Sequence, residues 1–209
     1  MATTGKVVAV EHLTLDGVYQ APARADEDER DGFRHGGWSV AGDDPEMQRI
    51  IGRYMATGWS LLVGRTTYED LYEGWHVRQP SNPITHALSN AQKFVVSRDA
   101  RYKTAWQNST LLSGDAAESV AKLKNEHDKT LVVFGSGVLV RSLLGSGLVD
   151  ELLTMTHPVV LGEGRRFFDD VPFTRLTLAD TTRTASGVII STYRPARGAS
   201  SAGAAAGGH

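Results

Sequence analysis

The chain alternates short β-branched apolar runs, each closed by glycine or a hydroxyl, with segments of helical period. Val7-Val8-Ala9-Val10 is a continuous apolar run inside a strand expected from Lys6 to Leu15, stopping at Thr14-Leu15-Asp16-Gly17. Trp59–Val63, Lys93–Arg98, Thr110–Leu112 and Leu131–Phe134 read as further strands. Between them, Asp43-Asp44-Pro45-Glu46 opens a helix with an acidic cap, and Met47, Ile50, Ile51, Tyr54 and Met55 form its apolar face up to a C-cap at Gly58. Pro80–Asn90 reads as a loop with a short helix, and Asp115 caps a helix reaching about Asn125. The segment after Gly135-Ser136-Gly137 continues as a helix to Gly145 or Gly147.

The order then changes. Asp150–Thr156 reads as a strand, His157–Gly164 as a loop and Arg165–Phe168 as a turn. Leu176–Thr184 and Val188–Tyr193 form a hairpin around Ser186-Gly187. The expected fold is α/β: a mixed, mainly parallel sheet flanked by helices, with an antiparallel C-terminal hairpin. One domain covers residues 1–195, and the Gly/Ala/Ser stretch 196–209 has no core-forming residue and reads as a disordered tail.

Val18–Val40 breaks the pattern, with charge, glycine and no period. A loop this long reads as a lid or binding loop; its acidic run 26–31 reads as a solvated face, with Phe33 and Trp38 as anchors. Composition adds exclusions. Over 209 residues, 41% hydrophobic and 22% charged positions suit a globular core, and a net charge of −2 gives no reason to expect nucleic acid or a lipid surface. The absence of cysteine removes disulfides, Cys-ligated zinc, iron–sulfur clusters and a thiol nucleophile. No signal-peptide core or membrane-length apolar run is present, so a cytoplasmic protein is expected.

The candidate chemistry lies where strands end: Gly64-Arg65-Thr66-Thr67, Ser97-Arg98 and Gly135-Ser136-Gly137-Val138. Strand-to-helix turns offer free N–H groups and a helix dipole to phosphate. Alone, Gly-Ser-Gly serves equally as an anion cradle or as a tight turn. Thr66 with Glu69 fits a capping box, which leaves Arg65 at a helix start opposing the dipole unless an anion sits there. In an open sheet these ends share one crevice, and two arginines with hydroxyls suit a dinucleotide carrying an extra 2′-phosphate. Asp16 at a strand end either closes an Asx-turn or faces the ligand.

Thr14-Leu15-Asp16-Gly17, Leu62–Glu69, Val95–Arg98, Val133–Gly137 and Pro158–Gly164 together resemble the motif series of the dihydrofolate reductase-like superfamily. The resemblance spans about residues 5–194 and is closer to the branch of the C-terminal reductase domain of riboflavin biosynthesis proteins. It implies an NADPH-dependent reductase of a small heterocyclic or ribosylaminopyrimidine-type substrate, similar to 5-amino-6-(5-phosphoribosylamino)uracil reductase, working as a homodimer. It further implies that Gly64, Arg65, Thr66 and Thr67 hold the diphosphate and adenosine-phosphate region, with Ser97 and Arg98 at the 2′-phosphate. Gly135, Ser136, Gly137 and Val138 would close the diphosphate site from the other side, with Asp16 beside nicotinamide and substrate as proton donor or orienting group. His157 is a second candidate for the proton. Helix 45–57 lacks the carboxylate with which folate-reducing enzymes meet the pterin, so dihydrofolate is not the expected substrate. A cysteine-free chain also lacks ligands for the fused zinc deaminase of that pathway, leaving only its reductive step. The alternative is a non-catalytic member binding a nucleotide or flavin in the same crevice.

Overall fold

A computed structural model describes residues 4–39, 44–56 and 58–196. Eight strands form one sheet: β1 (Val7–Thr14), β2 (Trp59–Gly64), β3 (Gln92–Ser97), β4 (Ser109–Ser113), β5 (Thr130–Phe134), β6 (Glu151–His157), β7 (Leu176–Arg183) and β8 (Ile189–Pro195). Their order is β4-β3-β2-β5-β1-β6-β8-β7. The first six are parallel, and β8 runs antiparallel between β6 and β7, the expected mixed sheet.

Helices α1 (Pro45–Tyr54), α2 (Arg65–Leu71) and α3 (Pro83–Asn90) cover one face; α4 (Ala116–Glu126) and α5 (Gly137–Gly145) cover the other. The continuous apolar run of β1 follows from this. Val8 and Val10 pack with Met47, Ile50 and Tyr68, whereas Val7, Ala9 and Leu13 pack with Val120, Leu139 and Leu143. Removing each such Val or Leu from water contributes about 1.5–3 kcal/mol. A charged side chain is also placed inside: Lys93 is fully buried, and its Nζ donates to the carbonyls of Leu88 (2.8 Å), Ser89 (3.2 Å) and Ala91 (2.8 Å). It thereby caps the C-terminus of α3, where the dipole favours a cation.

Two sequence expectations need correction, and one element was not anticipated. Helix α1 ends at Tyr54 with Met55 as its C-cap, earlier than Gly58. Gly64, not Thr66, is the N-cap of α2, and Glu69 turns back to Arg65 (2.9 Å) instead of closing a capping box. The chain continues from α2 through a π-helical turn, Tyr72–Val77, which no periodicity announced. Residues 197–209 of the expected tail, and Val40, Asp43 and Thr57, lie outside the described residues.

Candidate functional site

The six parallel strands deliver Thr14, Gly64, Ser97, Ser113, Phe134 and His157 to one edge of the sheet. Because β5 returns between β1 and β2, the chain changes direction there, the position at which open α/β sheets form a ligand crevice. Two of the three glycine- or hydroxyl-closed junctions meet in it. The Gly64 N–H donates to Ser136 Oγ at 3.0 Å, and the Thr67 methyl stands against Gly135. Gly135 and Ser136 both adopt left-handed backbone (φ +61° each), and the Gly135 N–H donates to the Val10 carbonyl of β1 at 3.2 Å, which fixes the turn against the strand. The Ser136 side chain does not cap α5, leaving the first-turn N–H groups of Gly137 and Val138 without that partner. A Cβ on Gly137 would sit 2.5 Å from the ring of Tyr19, so only glycine permits this approach.

The third junction lies beside these. Ser97 is buried and its Oγ accepts from the Asp99 N–H (3.1 Å), while Arg98 is exposed and forms no ion pair among the described residues. Arg65 has partners of its own: Glu69, Asp99 at 3.9 Å and the face of Tyr102, 4.5 Å from the guanidinium carbon. These carboxylates answer the dipole objection raised by its position, without requiring an anion.

Asp16 lies at the β1 end of the crevice with its carboxylate heavily engaged. Thr14 Oγ1 donates to it at 2.7 Å, the Leu161 and Gly162 N–H groups at 3.2 and 2.9 Å, and Arg166 stands at 3.5 Å. The Thr14 hydrogen bond leads these in holding the acid down to about 2. It is therefore ionised at neutral pH and ties the 158–164 loop to β1.

Three groups escaped sequence reasoning or were undervalued by it. Glu11, on β1, is 2% exposed; its Oε1 has no hydrogen-bond partner, and burial pushes its carboxyl well up. His12 Nδ1 and His157 Nε2 share a hydrogen bond of 3.0 Å on the opposite face. Burial, joined for His12 by its neighbour His157, lowers them to about 3 and about 4, so both rings are neutral at pH 7. Trp38 stands edge-on to His157, whose Nδ1 is buried and unpartnered. The signal for Glu11 was available: a charge interrupting a strand that is apolar on both faces.

The 18–39 loop is tied down across this edge. Phe33 packs with Val18, Ala21 and Leu161, and Trp38 Nε1 donates to the Gln20 carbonyl at 2.7 Å. Its acidic run is not merely solvated: Asp26 meets Arg78 (3.1 Å), Asp28 meets Arg30, and Asp31 meets Arg165 (2.8 Å).

Residues 6–190 match the family described as the RibD C-terminal domain. The chain belongs to that family. Membership assigns this RibD C-terminal domain to a reductase-type group of proteins. The uncharacterized protein YyaP of Bacillus subtilis is 31% identical over 141 residues, covering 64% of this chain and 72% of its own. In fold, the domain is similar to a putative riboflavin biosynthesis protein from Shewanella sp. PV-4, with TM-score 0.63, 16% identity and coverage of 92% and 99% of the two chains. It is also similar to dihydrofolate reductase from Enterococcus faecalis, complexed with NADP(H) and RAB-propyl, with TM-score 0.62, 14% identity and coverage of 93% and 99%. A pyrimidine reductase-like protein from Corynebacterium diphtheriae follows at TM-score 0.60, 14% identity and 93% of each chain. No described helix is long and apolar enough to cross a membrane.

Proposed function

We propose that this RibD C-terminal domain is an NADPH-dependent reductase of a small heterocyclic or ribosylaminopyrimidine-type substrate. The observation that carries this reading is the joining of two strand-to-helix turns, through Gly64 and Ser136, beside an uncapped α5 N-terminus. The residues fit such a cofactor. Gly64, Thr66, Thr67, Gly135, Ser136, Gly137 and Val138 would hold the diphosphate, and Arg98, an exposed guanidinium without an ion-pair partner among the described residues, would meet the 2′-phosphate. Arg65 and Ser97 would act from beside that phosphate, since each already has a partner.

NADPH supplies the hydride when bound; the chain's task is to orient both molecules and exclude water. In this reading Asp16 orients the β1 end of the crevice as a fixed carboxylate and does not deliver the proton, because an acid near 2 holds no proton at neutral pH. The commitment of Asp16 also supports the second reading, a non-catalytic nucleotide- or flavin-binding member. A homodimer belongs to the proposal as well: Phe173 and Leu178 are 87% and 52% exposed on and beside edge strand β7, and light scattering of the purified chain tests it.

Calorimetric titration with NADPH and NADH tests the main reading. Wild type should prefer NADPH, and Arg98→Ala should weaken NADPH by about ten- to a hundredfold, the loss of one charge-assisted contact, while leaving NADH unchanged. No NADPH binding would sink the reductase; a yellow chromophore retained on purification would favour the flavin reading.

A further inference from the structure

The buried carboxyl of Glu11 is not accounted for by the fold. It belongs to the face of β1 that packs on α5, beside Val7, Ala9 and Leu13, and lies one residue beyond Val10, which pairs with Phe134 and accepts from the Gly135 N–H at 3.2 Å. Glu11 is thus level with the Gly-Ser-Gly turn and next to the N-terminus of α5. Tyr19, whose ring covers Gly137, packs against the same cluster.

The cations on that side are committed elsewhere. Arg141 on α5 donates to the carbonyls of Arg166 and Asp169, both at 3.2 Å; Arg165 pairs with Asp31, and Arg30 with Asp28. Thr154, the β6 neighbour of Glu11, is uncharged. An ionised Glu11 would therefore be a buried, unpaired charge, and it would repel any anion held at the neighbouring turn. A neutral carboxylic acid has the opposite character. It carries an O–H to donate, and an acceptor on the ligand satisfies it.

Resting on the dinucleotide reading above, we infer that Glu11 donates a hydrogen bond, as a neutral acid, to an acceptor oxygen of the bound dinucleotide, so that the ligand and the Glu11 proton are held together. Burial, with no uncommitted cation beside it among the described residues, keeps that proton in place in the free protein, and a bound acceptor strengthens its hold. Binding then weakens as alkaline solution removes the proton.

Calorimetric titration of NADPH from pH 6 to 9 tests this on wild type, Glu11→Gln and Glu11→Leu. The wild-type dissociation constant should rise by up to about tenfold per pH unit once Glu11 begins to ionise, the limit for one linked proton. Glu11→Gln, whose amide donates at every pH, should give a flatter profile. Glu11→Leu, which fills the space without a donor, should bind about tenfold more weakly than wild type at pH 6. Equal slopes in wild type and Glu11→Gln, or undiminished binding by Glu11→Leu, overturn the inference. Should neither variant fold, wild type titrated at pH 8–9 in buffers of different ionisation enthalpy reads proton uptake directly, and zero uptake overturns it. If wild type binds no NADPH at any pH, the dinucleotide reading falls first and this inference with it.

Discussion

Glu11 and His157 impose opposite proton linkages on the same end of β1. The folded values of His12 and His157, about 3 and about 4, lie below the ordinary 6.5, so the unfolded chain binds more protons between those limits. Stability therefore rises with pH through that window and is lost as the solution is acidified from about 6.5 toward 4. Glu11 acts in reverse: its folded value is raised, so its contribution is fully present below the unfolded value of 4.5 and is lost as pH rises. Two histidines outweigh one acid near pH 5, and the melting temperature should fall between pH 7 and pH 5. Replacing His157 by Gln should flatten that fall by about 2 kcal/mol, read from denaturant unfolding at the two pH values. An unchanged slope would mean that the imidazoles are not held neutral by the fold.

Among the elements, Lys93 shows what a strand position can do for a helix. Its three bonds to carbonyls at the end of α3 combine with the ring of Trp106, 4.9 Å from Nζ, to justify burying an ammonium that burial alone lowers to about 8. Lys93→Met keeps the stem but strands those carbonyls, and should cost about 2–4 kcal/mol in denaturant unfolding. Its stability matching wild type would assign the capping to water. The alternation of elements was legible because β1, β2, β3 and β5 carry short apolar runs and because Asp44 and Asp115 accept from first-turn amides, as their sequence positions announce. The residue-level site was less legible. Arg65 looked like a phosphate ligand because Glu69, Asp99 and Tyr102 are brought to it only by the folded α2–β3 edge. Asp16 stayed open between an Asx-turn and a ligand-facing group because its backbone partners, Leu161 and Gly162, lie about 145 residues away. The Tyr72–Val77 turn had no period to read, since a π-helical turn does not keep the 3.6-residue repeat.

For the whole molecule, the strand order governs more than where the crevice opens. β1 is made first, yet both its neighbours, β5 and β6, come from the second half of the chain, beginning at Thr130 and Glu151. β2, β3 and β4, by contrast, follow one another in sequence and lie side by side. During synthesis β1 must wait, unpaired on either edge, while more than a hundred residues emerge, an arrangement of high contact order that slows folding. A fragment ending at residue 128 should accordingly lack cooperative unfolding by circular dichroism and aggregate, although it holds four of the eight strands. A cooperative transition in that fragment would show that β2–β4 can stand alone. The same delay leaves Val7–Val10 exposed: a run that ends wholly buried near the centre of the sheet spends its early life as an unpaired apolar segment of the nascent chain, open to chaperones and to misassociation alike.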